Sequence, residues 1–295
     1  MVDLAIGIES ERASRRMAAL RRGGPRLWVG GTLVGTLVLV AIFAPLIAPH
    51  DPIEQDLLSA QLPPVWMPGG DAAYLLGTDS LGRCVLSRLI HAARTAIEVA
   101  TIAASLAAMI GITLGLLAGS LGGWIDQGVS RLIDVWMAFP PVLLSIVLAA
   151  LIGAGLTSVI SAIVVVDWTR FARVIRAETM AQLKRDYAAA ARAIGLNGSA
   201  VMRLEILPNL VPLIVTLLAV EMGVAILVEV ILSFVGISVA GDTPTWGGMI
   251  AEGRQIVHQA PWIMAFPILC IILSVIGFNL FGDGLRAALD PVQRR

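Results

Sequence analysis

Long apolar runs alternate with polar segments along most of the chain. A run of about 18 or more apolar residues is typical of a transmembrane helix, because the hydrocarbon core of a bilayer is about 30 Å thick. The runs cover residues 27–48, 95–118, 135–153, 159–177, 210–235 and 262–281. The pattern therefore predicts an all-α, polytopic membrane protein with six transmembrane helices.

The polar segments between these runs differ in length and in expected conformation. Residues 49–94 begin polar and proline-rich and become amphipathic, which predicts an interfacial helix that leads into the second span. Residues 120–134 predict a short polar turn, and residues 236–261 predict a second water-exposed loop. Pro140 and Pro141 lie near the start of the third run, where proline fits a first helical turn or a kink.

The first apolar run is predicted to be a retained span. Six arginines precede it within residues 1–26, as in a signal peptide, but the run at 27–48 is longer than expected for one. The apolar core of a signal peptide has about 7–15 residues. Residues 1–26 therefore predict a basic tail attached to a first transmembrane helix.

Basic residues are distributed unequally between the two sides of this topology. Of the 21 lysines and arginines, all but four fall on the side that holds both tails and the segment around 178–208. The four on the opposite side are Arg83, Arg88, Arg94 and Arg254. Because cytoplasmic segments of membrane proteins are enriched in Lys and Arg, both termini and the central loop are predicted to be cytoplasmic.

Composition narrows the class of protein further. Only 14% of residues are charged and the mean hydropathy is +0.86, whereas soluble domains carry about 25% charged residues. The formal net charge of +0 gives no electrostatic footprint for nucleic acid. Lys184 is the only lysine and lies outside any P-loop pattern, so any ATP must be bound by another subunit. No nucleophile–base motif or metal-ligand spacing is visible, which predicts a protein that is not an enzyme.

Residues 186–210 are polar enough to lie in water although apolar runs flank them. Residues 187–194 are alanine-rich and predict a short helix, after which Gly195 suits the positive φ of a helix end. Asn197 predicts the N-cap of a second short helix over 198–207. Such a helix–elbow–helix suits docking of another protein, and an ordinary loop that touches lipid headgroups is the alternative.

The same stretch resembles the cytoplasmic EAA loop of binding-protein-dependent ABC importer permeases. In that loop Glu-Ala-Ala is followed by a glycine and later by Ile/Leu-Pro. This chain departs from the pattern at two positions: it has Ala189 in place of the Glu, and Glu205 where the family often has His. The matching residues are Ala190, Ala191, Gly195, Leu207 and Pro208. The resemblance implies a coupling loop at about 178–208 that docks on an ATPase subunit. Its candidate residues are Asp186, Ala189, Ala190, Ala191, Arg192, Gly195, Leu207 and Pro208.

Short motifs elsewhere carry the same resemblance in the expected order. Residues 76–94 are similar to a GTD–LGRD–SR–GAR stretch, with Cys84 where Asp is usual. Residues 243–247 (TPTWG) and 282–286 (GDGLR) resemble the dipeptide/oligopeptide/nickel class, specifically its second, shorter permease subunit. The likeness covers residues 76–291.

This resemblance implies the assembly and its location. A second permease subunit would complete a heterodimer in the bacterial plasma (inner) membrane. Two cytoplasmic ATPase subunits would bind ATP and Mg, and an external solute-binding protein would deliver the cargo; this chain would hold no cofactor. The expected organisation is a tail (1–26), a first transmembrane helix (27–48), an external segment (49–94), a five-helix permease core (95–285) and a second tail (286–295).

Carboxylates within the predicted spans are candidate functional groups, because charge at membrane depth is costly and usually faces the protein interior or a water path. Glu98 lies near the outer end of its span and predicts an interfacial carboxylate. Asp167 precedes Arg170 by three residues, the spacing of a helical ion pair. Glu221 and Glu229 are eight residues apart and project to similar faces. They either line the pathway or tie the fifth span to its neighbours.

The cargo expected from these features is a small peptide. A peptide needs a roomy cavity with few polar anchors, which suits sparse carboxylates such as Glu221 and Glu229. Nickel prefers imidazole or thiolate ligands, whereas the predicted spans contain no histidine and a single cysteine, Cys270. Nickel or another small solute remains the alternative. An ion-coupled secondary transporter, which usually has two repeated halves, is a third interpretation, but no internal repeat is visible.

Overall fold

Helices make up most of the described structure, and residues 48–84 between the first two long helices are mostly irregular. The computed structural model describes residues 23–237 and 243–289. Most of the two predicted tails, at 1–22 and 290–295, lies outside these residues. The helices are α1 (Gly24–Ile47), α2 (Val85–Leu121), α3 (Gly123–Met137), α4 (Pro141–Ile152), α5 (Leu156–Gln182), α6 (Asp186–Ala193), α7 (Gly198–Val201), α8 (Leu207–Phe234), α9 (Trp246–Gln255) and α10 (Trp262–Leu289).

Four helical units in the described chain are long and apolar enough to cross a membrane. They are α1, α2, the unit Gly198–Phe234 that contains α7 and α8, and α10. The pair α3 and α4 becomes a fifth if its two bent halves form one span. Helix α5 has 27 residues but is not among them, because it carries charged residues such as Asp167 and Arg170 in its middle. The predicted sixth crossing therefore stays a prediction.

The amphipathic segment before the second predicted span is part of the same helix. Helix α2 runs without a break for 37 residues, from Val85 to Leu121. At 1.5 Å per residue it is about 55 Å long, whereas the hydrocarbon core is about 30 Å thick. The ends of α2 therefore extend beyond the apolar layer.

The third predicted span, 135–153, is divided by a sharp bend, and a kink at the proline pair was one of the two conformations expected there. The chain bends by 87° between α3 and α4, at Ala138, Phe139 and Pro140. Because the α conformation is disfavoured in a residue that precedes a proline, the helix that ends at Met137 cannot continue through Phe139 and Pro140, and Pro141 suits the first turn of the next helix. The prediction of a short polar turn at 120–134 was wrong. These residues mostly form α3, an amphipathic helix.

The second predicted loop, 236–261, contains a helix that is packed into the protein. The hydroxyl of Thr245 caps α9 by accepting a hydrogen bond from the Gly248 amide at 3.1 Å. Trp246 and Met249 are buried, and the Trp246 indole donates to the Leu89 carbonyl at 3.3 Å. The prediction of a wholly water-exposed loop was therefore wrong for α9.

Helices α2 and α5 lie parallel, in contact along a stripe of three glycines. A methyl group added to Gly111 would come within 2.4 Å of the Trp168 carbonyl oxygen, a separation that no folded structure tolerates. Residue numbers increase together along both helices, which makes the pair parallel. The three glycines of α2 lie close to the backbone of α5: Gly111 to that of Trp168, Gly115 to that of Ala172 and Gly119 to that of Arg176.

Helix α10 runs antiparallel to both α1 and α8, again with glycines at the contacts. Between α10 and α1, Gly284 lies close to Leu27 and Gly277 lies close to Leu33. Between α10 and α8, Gly282 lies close to Thr216 and Phe278 lies close to Gly223. Helix α8 also opposes α2, because Leu210 clusters near Leu116 whereas Leu217 clusters near Ala107. Helices α2, α5 and α10 therefore point one way, and α1 and α8 point the other way.

Candidate functional site

Helix α6 is held against the bundle by one face and exposes the other. Ala188 and Ala191 are buried in a cluster with Val201, Ile206 and Leu210. The exposed residues of α6 include Asp186, Ala189, Ala190 and Arg192. The candidate loop residues thus divide into an anchoring set and a set that faces outward.

Two local features that were predicted for the elbow are present. Gly195 has φ of +92°, a conformation that residues with a side chain rarely adopt. The amide of Leu196 donates to the Ala191 carbonyl at 3.1 Å, which closes the end of α6. Asn197 then caps α7, its side-chain oxygen accepting from the Ala200 amide at 2.8 Å. The turn direction is therefore determined by a glycine and a side-chain cap.

The second short helix predicted at 198–207 is not separate. Helix α7 continues through a π-helical segment, Met202–Ile206, directly into α8. The Leu207 amide donates to the Met202 carbonyl, five residues back. Pro208 has no amide hydrogen and its ring crowds the carbonyl four residues before it, which favours this wider turn. Leu207 is half-buried and Pro208 is exposed.

Two exposed apolar side chains on this loop were not predicted as functional. Ile194 is 81% exposed at the end of α6, and Leu204 is 63% exposed in the π segment. Arg192 and Arg203 are exposed near them in sequence. Exposed apolar groups with basic neighbours are the composition of a protein-docking surface. The sequence did not indicate them, because their exposure depends on how the loop folds.

A buried network of four charges joins the segment before α2 to α9. The Arg83 guanidinium contacts Asp79 at 2.7 Å and Glu252 at 2.8 Å. Arg88 donates to Asp79 and contacts Glu252 at 2.6 Å. Asp79, Arg83 and Arg88 are all buried. The GTD, LGR and SR motifs of residues 76–94 therefore meet Glu252 of α9 in one cluster.

We expect the replacement of Arg88 by methionine to destabilise the fold strongly. The change leaves Asp79 and Glu252 with Arg83 as the remaining cation of the network, and removal of one partner of a buried ion pair costs about 3–5 kcal/mol. Unfolding in a detergent titration of the purified protein measures the loss. The control is Arg94→Met, since Arg94 is exposed on the same helix. Equal stability of the two variants would contradict the structural role of the network.

A second charged cluster lies between α5 and α8. The predicted ion pair of Arg170 with Asp167 is present at 3.8 Å, and the same guanidinium lies 3.6 Å from Glu221. Asp167 and Glu221 are buried, whereas the Arg170 side chain is 41% exposed. The cluster therefore joins one half-exposed cation to two buried carboxylates.

The other two predicted carboxylates have different surroundings. Glu229 is buried and accepts a hydrogen bond from the Ser233 hydroxyl one turn further along α8. Glu98 is exposed on α2. The structure thus brings Glu221, but not Glu98, together with other charged groups.

Long apolar helices with charges buried between them define a polytopic membrane protein. The chain belongs to the family of binding-protein-dependent transport system inner membrane components, whose model matches residues 111–295. Residues 25–64 also match the N-terminal transmembrane domain of oligopeptide transport permease C. The predicted family resemblance is confirmed.

Individual relatives align over most of the chain. It is 40% identical over 264 residues to the di/tripeptide transport system permease protein DppC of Pseudomonas aeruginosa (strain UCBPP-PA14), covering 89% of this chain and 87% of that one. It is 43% identical to the dipeptide transport system permease protein DppC of Escherichia coli (strain K12), covering 89% and 88%. It is 38% identical to the glutathione transport system permease protein GsiD of Shigella dysenteriae serotype 1 (strain Sd197), covering 86% and 82%.

Proposed function

We propose that this chain is the membrane-spanning permease subunit of an ATP-driven importer that moves small peptides delivered by an external binding protein. The observation that carries the proposal is the identity of 40–43% to dipeptide permeases along nearly the whole length of both chains. Relatives named for glutathione transport fall within the same chemical class, because glutathione is itself a tripeptide.

The chain works as one part of a larger assembly. A second permease subunit pairs with it as a heterodimer, and two cytoplasmic ATPase subunits bind ATP and Mg. The sequence supports this division of labour, because its only lysine, Lys184, lies outside any phosphate-binding loop pattern. Hydrolysis belongs to the partners, and this chain converts their movement into access for the cargo.

Six crossings with both termini in the cytoplasm fit the helix directions. Helices α2 and α5 are parallel, so the chain between them must return to the starting side if both cross. The bent pair α3 and α4 provides that return. Helices α8 and α10 run in opposite directions. From α1 to α10, successive crossings therefore alternate in direction. The unequal distribution of arginines supports the cytoplasmic side for the loop at 178–208.

We expect single cysteines at Trp66 and Arg185, in a cysteine-free background, to react with membrane-impermeant reagents from opposite faces. Trp66 is 63% exposed in the segment before α2, and Arg185 is exposed just before α6. Labelling of intact cells should modify position 66 only, and position 185 should react after permeabilisation. Reaction of both positions in intact cells would contradict the topology.

The exposed face of α6 is the proposed contact with an ATPase subunit. Asp186, Ala189, Ala190 and Arg192 lie on the outward face, and the small alanines allow close approach of a groove. The opposite face packs through Ala188 and Ala191 onto residues of α7 and α8. A push on α6 is therefore transmitted through packed side chains to a membrane helix, which is the requirement for a two-state gate.

Uptake into proteoliposomes tests the function. The vesicles hold both permease subunits and both ATPase subunits, with the binding protein outside and ATP inside. Labelled dipeptides and longer peptides should accumulate only when internal ATP is present. Accumulation of nickel without peptide would replace the proposed cargo. Accumulation of peptide without ATP would indicate an ion-coupled transporter instead.

A further inference from the structure

Two buried carboxylate oxygens in the cluster of Asp167, Arg170 and Glu221 receive no hydrogen bond from any donor among the described residues. Asp167 and Glu221 are 2% and 5% exposed. These oxygens are Asp167 Oδ2 and Glu221 Oε1, and the Arg170 guanidinium lies 3.6 Å from the latter, beyond hydrogen-bond range. Buried carboxylate oxygens are normally paired, and each one left without a donor carries a large desolvation cost. These two atoms therefore mark a place for a group that donates hydrogen bonds.

The arginine in the cluster is held loosely. Its nitrogens lie 3.8 Å from Asp167 and 3.6 Å from Glu221, beyond the range of a hydrogen bond. Its side chain is 41% exposed, whereas the two carboxylates are almost completely buried. A cation in this position can move outward without breaking a short contact.

The neighbouring charges do not complete the cluster. Arg173, one turn further along α5, lies 3.6 Å from Asp134 of α3. Glu229, two turns further along α8, accepts from Ser233. The two carboxyl groups of the cluster also lie within reach of each other, and together with a single guanidinium they favour a hydrogen-bond donor over an anion. The depth of the cluster matters as well, since Glu221 lies near the middle of α8, and ionisable groups at this depth often line substrate paths.

We propose that Asp167 and Glu221 receive the amino-terminal ammonium group of a peptide in transit, and that Arg170 occupies the site until the peptide displaces it. An ammonium group has three donors and one positive charge, which matches the two unsatisfied carboxylate oxygens. The inference rests on the proposed peptide cargo. It assigns to this subunit the recognition of a free amino terminus, which is common to nearly all peptides whatever their side chains.

The test uses the full complex in proteoliposomes and a photoreactive dipeptide. The first residue of the dipeptide is photoleucine, and a second probe is the same dipeptide with its amino group acetylated. In wild type, the free-amine probe should crosslink to α5 and α8 near Asp167 and Glu221. The acetylated probe should crosslink there about tenfold less, as expected for the loss of a charge-assisted hydrogen bond. Mass spectrometry of the digested subunit locates the crosslinks.

Matched variants separate recognition from a structural role. Glu221→Gln and Asp167→Asn should each lower crosslinking of the free-amine probe about tenfold. Arg170→Gln removes the competing cation and should preserve or increase it. Glu98→Gln, at an exposed carboxylate of α2, is the control and should leave it unchanged.

The outcomes distinguish the inference from the proposed function. A wild-type complex that imports no dipeptide refutes the peptide cargo and the inference together. Import with equal crosslinking of the two probes, or unchanged crosslinking in Glu221→Gln, refutes the inference alone. An equal loss in Arg170→Gln and Glu221→Gln would mean that the three residues form only a structural cluster, and it would also overturn the inference.

Discussion

Replacement of Gly195 by valine is expected to leave the protein in the membrane and to uncouple ATP hydrolysis from uptake. Gly195 has φ of +92°, and a β-carbon added there would have no atoms within 4 Å, so the penalty comes from the backbone alone. A residue with a β-carbon in such a conformation costs about 1–3 kcal/mol. The elbow must then rearrange, and α6 would present a different face to the ATPase subunit.

The measurement is ATP hydrolysis stimulated by the binding protein and its cargo, in the reconstituted complex. We expect stimulation to fall about tenfold, which corresponds to about 1.4 kcal/mol and lies within the expected strain. Gly195→Asn should retain more activity, because asparagine tolerates positive φ better than valine does. Gly198→Ala is the control, since Gly198 is exposed and helical with open space around it. Normal stimulation in Gly195→Val would show that the loop is only a connector.

Replacement of Gly111 by valine is expected to prevent correct packing of α2 against α5. Its β-carbon would lie 2.4 Å from the Trp168 carbonyl oxygen and 2.5 Å from the Phe171 β-carbon. Neither atom can move without displacing a helix backbone. Inserting a larger side chain into a closely packed interior lowers the stability of the fold by about 3 kcal/mol at the upper end of the usual range. Here the clash lies on α2, the longest of the helices described above.

The yield of monodisperse protein in detergent, and its resistance to unfolding in a detergent titration, test this expectation. Gly128→Val provides the control, because Gly128 lies on helix α3 with open space around its α-carbon. The control should match wild type in yield. A stable Gly111→Val protein would mean that α2 and α5 separate more easily than their contact indicates.

Much of the helix pattern could be predicted because membrane helices are recognised by long apolar runs. Helices α1, α8 and α10 lie close to predicted spans for this reason. The bend at Phe139 was harder to predict, since a proline pair near a helix start fits both a first turn and a break. Helix α9 was missed because its glycine-rich sequence, which includes Gly247 and Gly248, has weak helix propensity. Packing of Trp246 into the core stabilises it instead.

Local features of the candidate sites were predicted better than distant ones. The positive φ of Gly195 and the cap at Asn197 follow from chemistry within a few residues. The pair Asp167 and Arg170 follows from helical spacing. The approach of Arg170 to Glu221, 51 positions further along the chain, depends on how α5 packs against α8. A single sequence contains no signal for such a contact.

The π segment between α7 and α8 makes this region sensitive to chain length. Each residue of an α-helix turns about 100° around the axis. Loss of one residue between Val201 and Leu207 would allow a regular α-helix and rotate everything before it by about that angle relative to α8. Ala188, Ala191 and Val201 would then turn together away from Leu210 of α8, with which they now share a buried cluster. The orientation of the loop around the axis of α8 therefore depends on the number of residues between Val201 and Leu207. Deletions in this segment should be less tolerated than substitutions.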